Sequence, residues 1–581
     1  MTTPRTDIPE PDEVILAEQL PQDTDDSALS LAEAILPEMT TGEEGDIETM
    51  VPPSLIDDSL PETATPVVEE KPTRGRFGIN VIANIANFAV GVLVGLWLAP
   101  FIIHRLGTAV YGMIGLAYQM TTYLSVLTTA LNSAVARYLT ISLTHDDDTE
   151  ANQIFNTSLF GSLLVAAVLL GPGLWVAWHI ERLIKTPPGY SLAQVHYMFT
   201  CTLVVFLMTT ISTPFEVSSF CRNRFDLRNI VAIASTLVRI GVLVLLFTIM
   251  TPSLASVGTG LLAGAVVALI GVLILWRVLT PTLVIRLWAF SRAMLSRLLQ
   301  TGIWVSIDNT GALLFLSIDL LVVNHLLGSD ATGRYNALLQ WSALLRTFAG
   351  VIAAVFTPTI FAYYARKDMP GLVTYARRAV KFLGLVMALP IALICGLAGP
   401  LLHVWLGHRF QTAALAPLLS LMTLHLSVNL AFMPLLSIQM ATNNVRWPGV
   451  VTFLMGAGNL GLALLLAGPM HWGMYGVAAA GAIMLTAKNV FFTPLYAAHI
   501  LRRPWWTFYN ELLPHVIVTV CTAALGWGIA SRLHINSWRM LIACGLLISV
   551  LYVLLIWVVR LTREERQMVL QLPVLRKVWQ R

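Results

Sequence analysis

Charge is scarce in this sequence. Only 12% of its 581 residues are Asp, Glu, Lys or Arg, whereas a soluble domain averages about 25%. With 56% hydrophobic residues and a mean hydropathy of +0.72, the chain has too much apolar surface for water, and a bilayer is its expected solvent. Cysteine is scarce as well. Cys201, Cys221, Cys395, Cys521 and Cys544 are scattered, without the spacing of a metal or redox pair, so they read as small buried hydrophobes. No apolar leader stands at the N-terminus, where the first apolar run begins near Ile79, so no secretory signal is expected. Long polar loops are missing too, which leaves no room for a catalytic domain between apolar runs. There is no phosphate loop, zinc pair or nucleophile elbow. An enzyme is therefore not expected, and any work the protein does must draw on an ion gradient, the membrane potential or the gradient of its own substrate.

The charge that is present is unevenly placed. Residues 1–70 carry 19 acidic residues and one basic residue, Arg5, leaving 71–581 with a formal charge of +21. The head, rich in Pro, Thr, Asp and Glu, is expected to be a disordered acidic tail over 1–72. Beyond it, breaks at charged and Pro/Gly clusters leave fourteen apolar runs of membrane-crossing length. They lie near 79–103, 110–139, 154–180, 191–216, 229–250, 254–279, 302–327, 333–364, 379–399, 412–440, 447–468, 473–499, 511–532 and 538–560. With the N-terminus in the cytoplasm, the cytoplasmic loops and flanks hold 25 Lys/Arg and the opposite side seven. The positive-inside rule then places both termini in the cytoplasm. The stretch "TPTLVIRLWAFSRAMLSRLLQ" (280–300) has too many arginines to span and suits an amphipathic helix on the membrane face.

The apolar part repeats itself. "HRLGTAVYGMIGLAYQM" (104–120) and "HLLGSDATGRYNALLQW" (325–341) place Gly107, Gly112 and Gln119 opposite Gly328, Gly333 and Gln340, each 221 residues apart. Pro214 and Asn223 find Pro434 and Asn443 at an offset of 220. The repeat unit is six spans, and both copies start on the same side of the membrane, so it is a parallel repeat. The fold class is thus all-α and polytopic. It has an N-terminal lobe over 74–279, the linker 280–300, a C-terminal lobe over 301–499, and two extra spans with a short basic tail over 500–581.

Polar residues inside the spans are the candidate functional groups, because each is costly in lipid. Asn80, Asn84 and Asn87 share one helical face of the first span, and the second span adds a polar run that includes Gln119 and Thr122. These residues are expected to line a hydrated cavity, against the alternative of helix–helix packing. Arg239, Arg346 and Lys488 are the deep cations, and Asp308 and Asp319 the deep carboxylates. The two aspartates are eleven residues apart, three helical turns, and so are expected on one face. At about 1.5 Å per residue, Asp308, Arg346 and Lys488 fall at similar depth. Asp308 is therefore the expected partner of Arg346 or Lys488, in a structural ion pair or in a site whose charge balance changes during transport. Asn87 and Asp308 are themselves repeat-related. No metal site is expected among these residues.

"FIIHRLGTAVYGMIGLAYQMTTYLSVLTTALNSAVARYLT" (101–140) resembles the first helix pair of Wzx-type polysaccharide flippases, with a Leu-Gly…Tyr-Gly loop and a polar second helix. "LLGSDATGRYNALLQW" resembles that family's second-half counterpart. The superfamily is MOP, which also includes the MATE exporters and the MurJ lipid II flippases. The acidic head has no place in the family pattern. The resemblance implies two six-helix lobes around a polar cavity. It also implies transport of a polyprenyl-pyrophosphate-linked oligosaccharide by alternating access, for surface polysaccharide synthesis at the plasma membrane. In that reading the sugar meets the polar faces of spans 1 and 2, while Arg239, Arg346 and Lys488 meet the pyrophosphate. Asp308 and Asp319 serve coupling or charge balance, with Na⁺ or H⁺ as the coupling ion and no cofactor. The expected partners are the lipid-linked substrate, membrane lipid and polysaccharide-assembly proteins. No nucleic acid is expected, and the chain is expected to be a monomer. A MurJ-like flippase and a MATE-like exporter are the nearest alternatives, although an exporter of cations would favour carboxylates over arginines. A glycan polymerase would need a long external loop. A scaffold has no reason to carry deep charges.

Overall fold

The computed structural model describes residues 74–187, 189–407, 412–442, 444 and 446–559; the acidic head expected over 1–72, Asn443 and the basic tail lie outside them. Among the described residues every regular element is a helix, because a backbone in lipid must satisfy its own hydrogen bonds. In chain order the first half comprises α1 (Arg74–Leu106), α2 (Thr108–Thr144), α3 (Asp148–Trp178), α4 (Leu192–Cys221), α5 (Phe225–Ile249) and α6 (Leu254–Leu279). The second half comprises α7 (Arg292–Leu316), α8 (Ile318–Leu327), α9 (Ser329–Ala365), α10 (Met369–Gly396), α11 (Ala398–Leu406), α12 (Thr412–Leu424), α13 (Leu426–Asn429), α14 (Pro434–Ala441), α15 (Arg446–Ala467), α16 (Gly473–Thr486) and α17 (Thr493–Ile500). α18 (Leu512–Arg532) and α19 (Trp538–Val559) follow.

Twelve helical segments are long and apolar enough to cross a bilayer, and the bent run through α12–α14 makes a thirteenth. α2 is not among them, because its centre is rich in Thr, Ser and Gln. At 37 residues it is nonetheless long enough to be the fourteenth. The twelve to thirteen candidate spans approximately match the fourteen expected.

The repeat extends to helix boundaries. α2 runs from 108 to 144 and α9 from 329 to 365, both 37 residues, so both ends are displaced by 221. Each helix is entered through a glycine, Gly107 at φ 88° and Gly328 at φ 92°, a region that penalises any side chain. Two residues past the end of each stands a residue at positive φ, Asp146 at 56° and Lys367 at 58°. An aspartate then caps the next helix: Asp147 accepts from the backbone N–H of Thr149 and Glu150, and Asp368 from that of Gly371. A cap of this kind satisfies N–H groups that the first turn leaves orphaned.

The halves differ in continuity. α1 is unbroken over 33 residues, whereas its counterpart is interrupted at Ser317 (φ −125°, ψ −23°) between α7 and α8. α4 is one helix, whereas its counterpart bends by 47° between α13 and α14. α6 is regular, whereas a π-helical turn, Ala487–Phe492, separates α16 from α17.

The stretch 280–300 is not the surface helix the sequence suggests. After a turn, residues 283–286 run without helix, a short 3₁₀ turn follows at Leu287–Ala289, and α7 already starts at Arg292. The cause lies on α3. Asn152 accepts from Val284 N (2.8 Å) and donates to Thr282 O (3.1 Å). Asn156 accepts from Arg286 N (2.7 Å) and donates to Val284 O (2.9 Å). Two amides one helical turn apart thus bind the extended segment as a neighbouring strand would.

The largest buried apolar cluster gathers Ile102, Val110 and Met113 from the α1–α2 corner, Leu320 and Leu338 from the α8–α9 corner, and Trp405. Trp405 Nε1 donates to Leu96 O at 2.6 Å.

Candidate substrate cavity

From the first half, α2 packs against both α7 and α9 of the second. Gly112 packs on its own repeat mate: a Cβ there would stand 2.5 Å from Gly333 N. Gly115 is as close to Asn336, again its repeat mate, at 2.5 Å from Nδ2. Thr108 Oγ1 donates to Asp330 Oδ1, Asn336 Nδ2 to Tyr111 O (3.2 Å), and Tyr111 OH to Gln340 Oε1 (3.1 Å). Small residues allow this backbone contact, and the polar groups bridge it.

Beside this contact lies a cavity of about 590 Å³, walled by α1, α2, α5 and α6 from the first half and α7, α8 and α9 from the second. Gln119 and its repeat mate Gln340 both line it. Three charged residues line it: Arg239, Arg346 and Asp319. Arg239 is brought in by close α5–α6 packing, since a Cβ at Gly264 would stand 3.0 Å from Arg239 Cβ and one at Gly260 3.0 Å from its carbonyl oxygen. Arg239 Nη1 donates to Tyr118 OH (3.0 Å), and its buried Nε has no protein partner.

The break at Ser317 builds the opposite wall. Tyr123 OH donates to Ser317 O (2.6 Å), and Asn459 Nδ2 to Leu314 O (2.9 Å), so the carbonyls released at the end of α7 are served from outside. The break also turns Asp319 inward. It is 6% exposed, with Oδ2 accepting from Tyr335 OH (3.0 Å) and Oδ1 facing Asn459 Nδ2 (3.4 Å). Asp308 is exposed. The two aspartates therefore do not share a face, because the helix that would align them is interrupted between them.

The expected pairing of Arg346 with Asp308 is also corrected. Arg346 lies in the field of Asp319 and Tyr335. Asp308 acts on Lys488, the other partner expected for it, which sits in the π-helical turn and does not line the cavity. Neither relationship is a direct ion pair.

Asn80 is buried and Asn84 exposed, and both hydrogen-bond across to the α4–α5 corner. Asn80 Nδ2 donates to Asn223 O (3.1 Å) and Oδ1 (3.2 Å), while its Oδ1 accepts from Asp226 N (3.0 Å). Asn84 Oδ1 accepts from Asn229 Nδ2 (2.7 Å). Together they fasten α1 to the start of α5. Asn87 does not line the cavity, which on α1 begins at Gly91. Thr122 lines a second cavity, of about 570 Å³, whose wall is formed by α2, α4 and α6. Its α4 threonines, Thr202, Thr209, Thr210 and Thr213, escaped the sequence reading, although spacings of seven, eight and eleven put them on one helical face.

The profile of the polysaccharide biosynthesis protein family matches residues 78–364. A Bacillus subtilis (strain 168) protein described as "Uncharacterized membrane protein EpsK" is 37% identical over 502 residues, spanning 85% of this chain and 98% of that one. The chain belongs to the polysaccharide biosynthesis protein family. Its fold is that of the MOP superfamily, which includes the Wzx-type flippases. The inward closed form of the lipid II flippase MurJ superposes with a TM-score of 0.59 at 13% identity, covering 82% of this chain and 98% of that one. An inward-facing MATE multidrug resistance transporter gives 0.56 at 14% identity, covering 73% and 98%. At these identities the likeness is one of fold. This family member is a multi-pass membrane protein, and the cavities described above lie among the helices that the repeat relates.

Proposed function

We propose that this protein flips a polyprenyl-pyrophosphate-linked oligosaccharide across the plasma membrane. The observation that carries the reading is the charge of the larger cavity: two arginines against one aspartate, a net positive lining between the two halves. A guanidinium is suited to bidentate binding of phosphate oxygens, and Arg239 has a buried donor left over. A cation exporter would be served by the opposite balance, and polymerisation chemistry would require a nucleophile with an adjacent base.

Lys/Arg asymmetry supports a cytoplasmic N-terminus, which puts the Gly112–Gly333 contact at the outer end of α2 and α9. Loading the cavity from the cytoplasmic leaflet then requires α2 and α7 to part at their inner ends, where Val135, Leu139 and Leu298 share a buried cluster. Parting α2 from α9 opens it on the other side, an alternation between repeat halves. Interrupted helices in the second half, where Asp319 and Lys488 sit, support a coupling role for that half, with Asp319 taking up H⁺ or Na⁺ as Arg346 exchanges partners.

The test is flipping of a lipid-linked saccharide in liposomes containing the purified protein. Protein-dependent movement that is lost in Arg239→Gln supports the reading. Movement at the protein-free rate, with the protein folded and inserted, overturns it.

A further inference from the structure

The second cavity differs chemically from the first. Tyr118 lines both, and among the described residues no charged side chain lines the second. Hydroxyls dominate its polar wall, and most already donate within their own helices. Thr122 donates to Tyr118 O (3.2 Å), Ser125 to Thr122 O (2.7 Å) and Thr128 to Ser125 O (2.9 Å) on α2. On α4, Thr202 donates to Met198 O (2.9 Å), Thr209 to Val205 O (2.9 Å) and Thr213 to Thr209 O (2.9 Å). A hydroxyl has one hydrogen and two lone pairs, so a threonine such as Thr122 or Thr209 that donates to its own helix can still accept from a ligand in the cavity. The matching ligand carries many O–H or N–H donors and no negative charge. A carboxylate placed there would lose its hydration without gaining a cation. At the boundary, Tyr118 accepts from Arg239 and keeps its own hydrogen to donate.

We propose that the cavity between α2, α4 and α6 is a saccharide subsite that takes an uncharged, hydroxyl- or acetamido-bearing sugar and refuses a carboxylated one. This rests on the flippase reading: the pyrophosphate stays at Arg239, and the first sugar enters past Tyr118. The cavity then selects the substrate by its reducing-end sugar, and the larger one holds what all lipid pyrophosphates share.

The experiment measures binding to the full-length protein in nanodiscs. The three ligands are bare polyprenyl pyrophosphate, the same lipid carrying one N-acetylhexosamine, and the same lipid carrying one hexuronic acid. The N-acetylhexosamine lipid binds roughly tenfold tighter than the bare lipid, and the hexuronic acid lipid binds no tighter. The isosteric double variant Thr122→Val/Thr209→Val erases the tenfold advantage and leaves the bare lipid unaffected; Thr122→Ser/Thr209→Ser, which keeps the hydroxyls, retains it. Equal binding of the bare and N-acetylhexosamine lipids, or an advantage that survives the valines, overturns the subsite while the flippase reading stands. Failure of all three lipids to bind overturns the flippase reading itself.

Discussion

Tyr335 donates its phenolic hydrogen to Asp319 Oδ2 at 3.0 Å, and both residues are buried beside Arg346 where α7 gives way to α8. Removing one member of such a group strands the others, whereas removing two relieves the imbalance. Arg346→Gln is expected to lower stability by about 3 kcal/mol. Asp319→Asn in the same chain restores a good part of that loss, and Asp308→Asn restores none. Thermal unfolding of the detergent-purified variants, arranged as two double-mutant cycles, decides the matter. Additive losses for Arg346 and Asp319 would dissolve the group.

Gly112 and Gly333 let α2 and α9 touch backbone to backbone. Gly333 has no slack, because a Cβ there falls on the carbonyl of Thr108. Gly333→Ala should therefore force the helices apart at a cost of roughly 1–3 kcal/mol. Gly91→Ala, where a Cβ would meet nothing within 4 Å, should be neutral in the same thermal assay. If the contact is also the outer gate, Gly333→Ala makes a cysteine placed at Gln340 reactive to an impermeant thiol reagent from outside. Unchanged melting of Gly333→Ala would show that the helices need not touch.

Much of this architecture is legible in the sequence. The Gly107–Gly328, Gly112–Gly333 and Gln119–Gln340 matches mark one repeat, and the structure gives each pair one role: entry into a helix, contact between halves, lining of a shared cavity. A positive φ and a zero-clearance contact both exclude side chains, so they leave a glycine behind. The break at Ser317 left no such mark. "FLSIDLL" contains neither Pro nor Gly, and the interruption is sustained by Tyr123 and Asn459, distant in sequence. The asparagines show a second limit. A polar strip on a membrane helix says that the face avoids lipid, but not whether water or protein covers it. Asn229 and Asn223, which hydrogen-bond Asn84 and Asn80, lie more than a hundred residues away.

Asn156 holds the connection between the halves. It is fully buried and bonds the backbone of both Val284 and Arg286. Asn156→Leu fills the same space but removes the partner of the Arg286 N–H and the Val284 carbonyl, each loss costing about 1 kcal/mol. The variant should melt well below the parent, and limited proteolysis should cut between 280 and 291, where the parent resists. Protection equal to the parent would show that the segment is held by its apolar contacts alone, such as buried Leu283.

Arg239 separates a binding role from a structural one most cleanly. Its protein hydrogen bond runs to Tyr118 OH, a neutral acceptor, and among the described residues Asp319 is the only carboxylate lining its cavity. Nothing in the fold therefore requires its charge, so Arg239→Gln should cost under about 1 kcal/mol in stability. Binding of a lipid pyrophosphate does require the charge, and losing a charge-assisted pair should weaken it by about tenfold or more. Arg239→Lys keeps the charge but loses the planar fork and should fall between the two. Raising the salt concentration should narrow the gap between parent and glutamine variant, because screening weakens charge pairing at a hydrated site. Titrating bare polyprenyl pyrophosphate into the three proteins in nanodiscs, at two salt concentrations, reads all of this. If the glutamine variant binds as the parent does, Arg239 serves the fold alone, and Arg346 must carry the head group or the cavity must bind something other than a pyrophosphate.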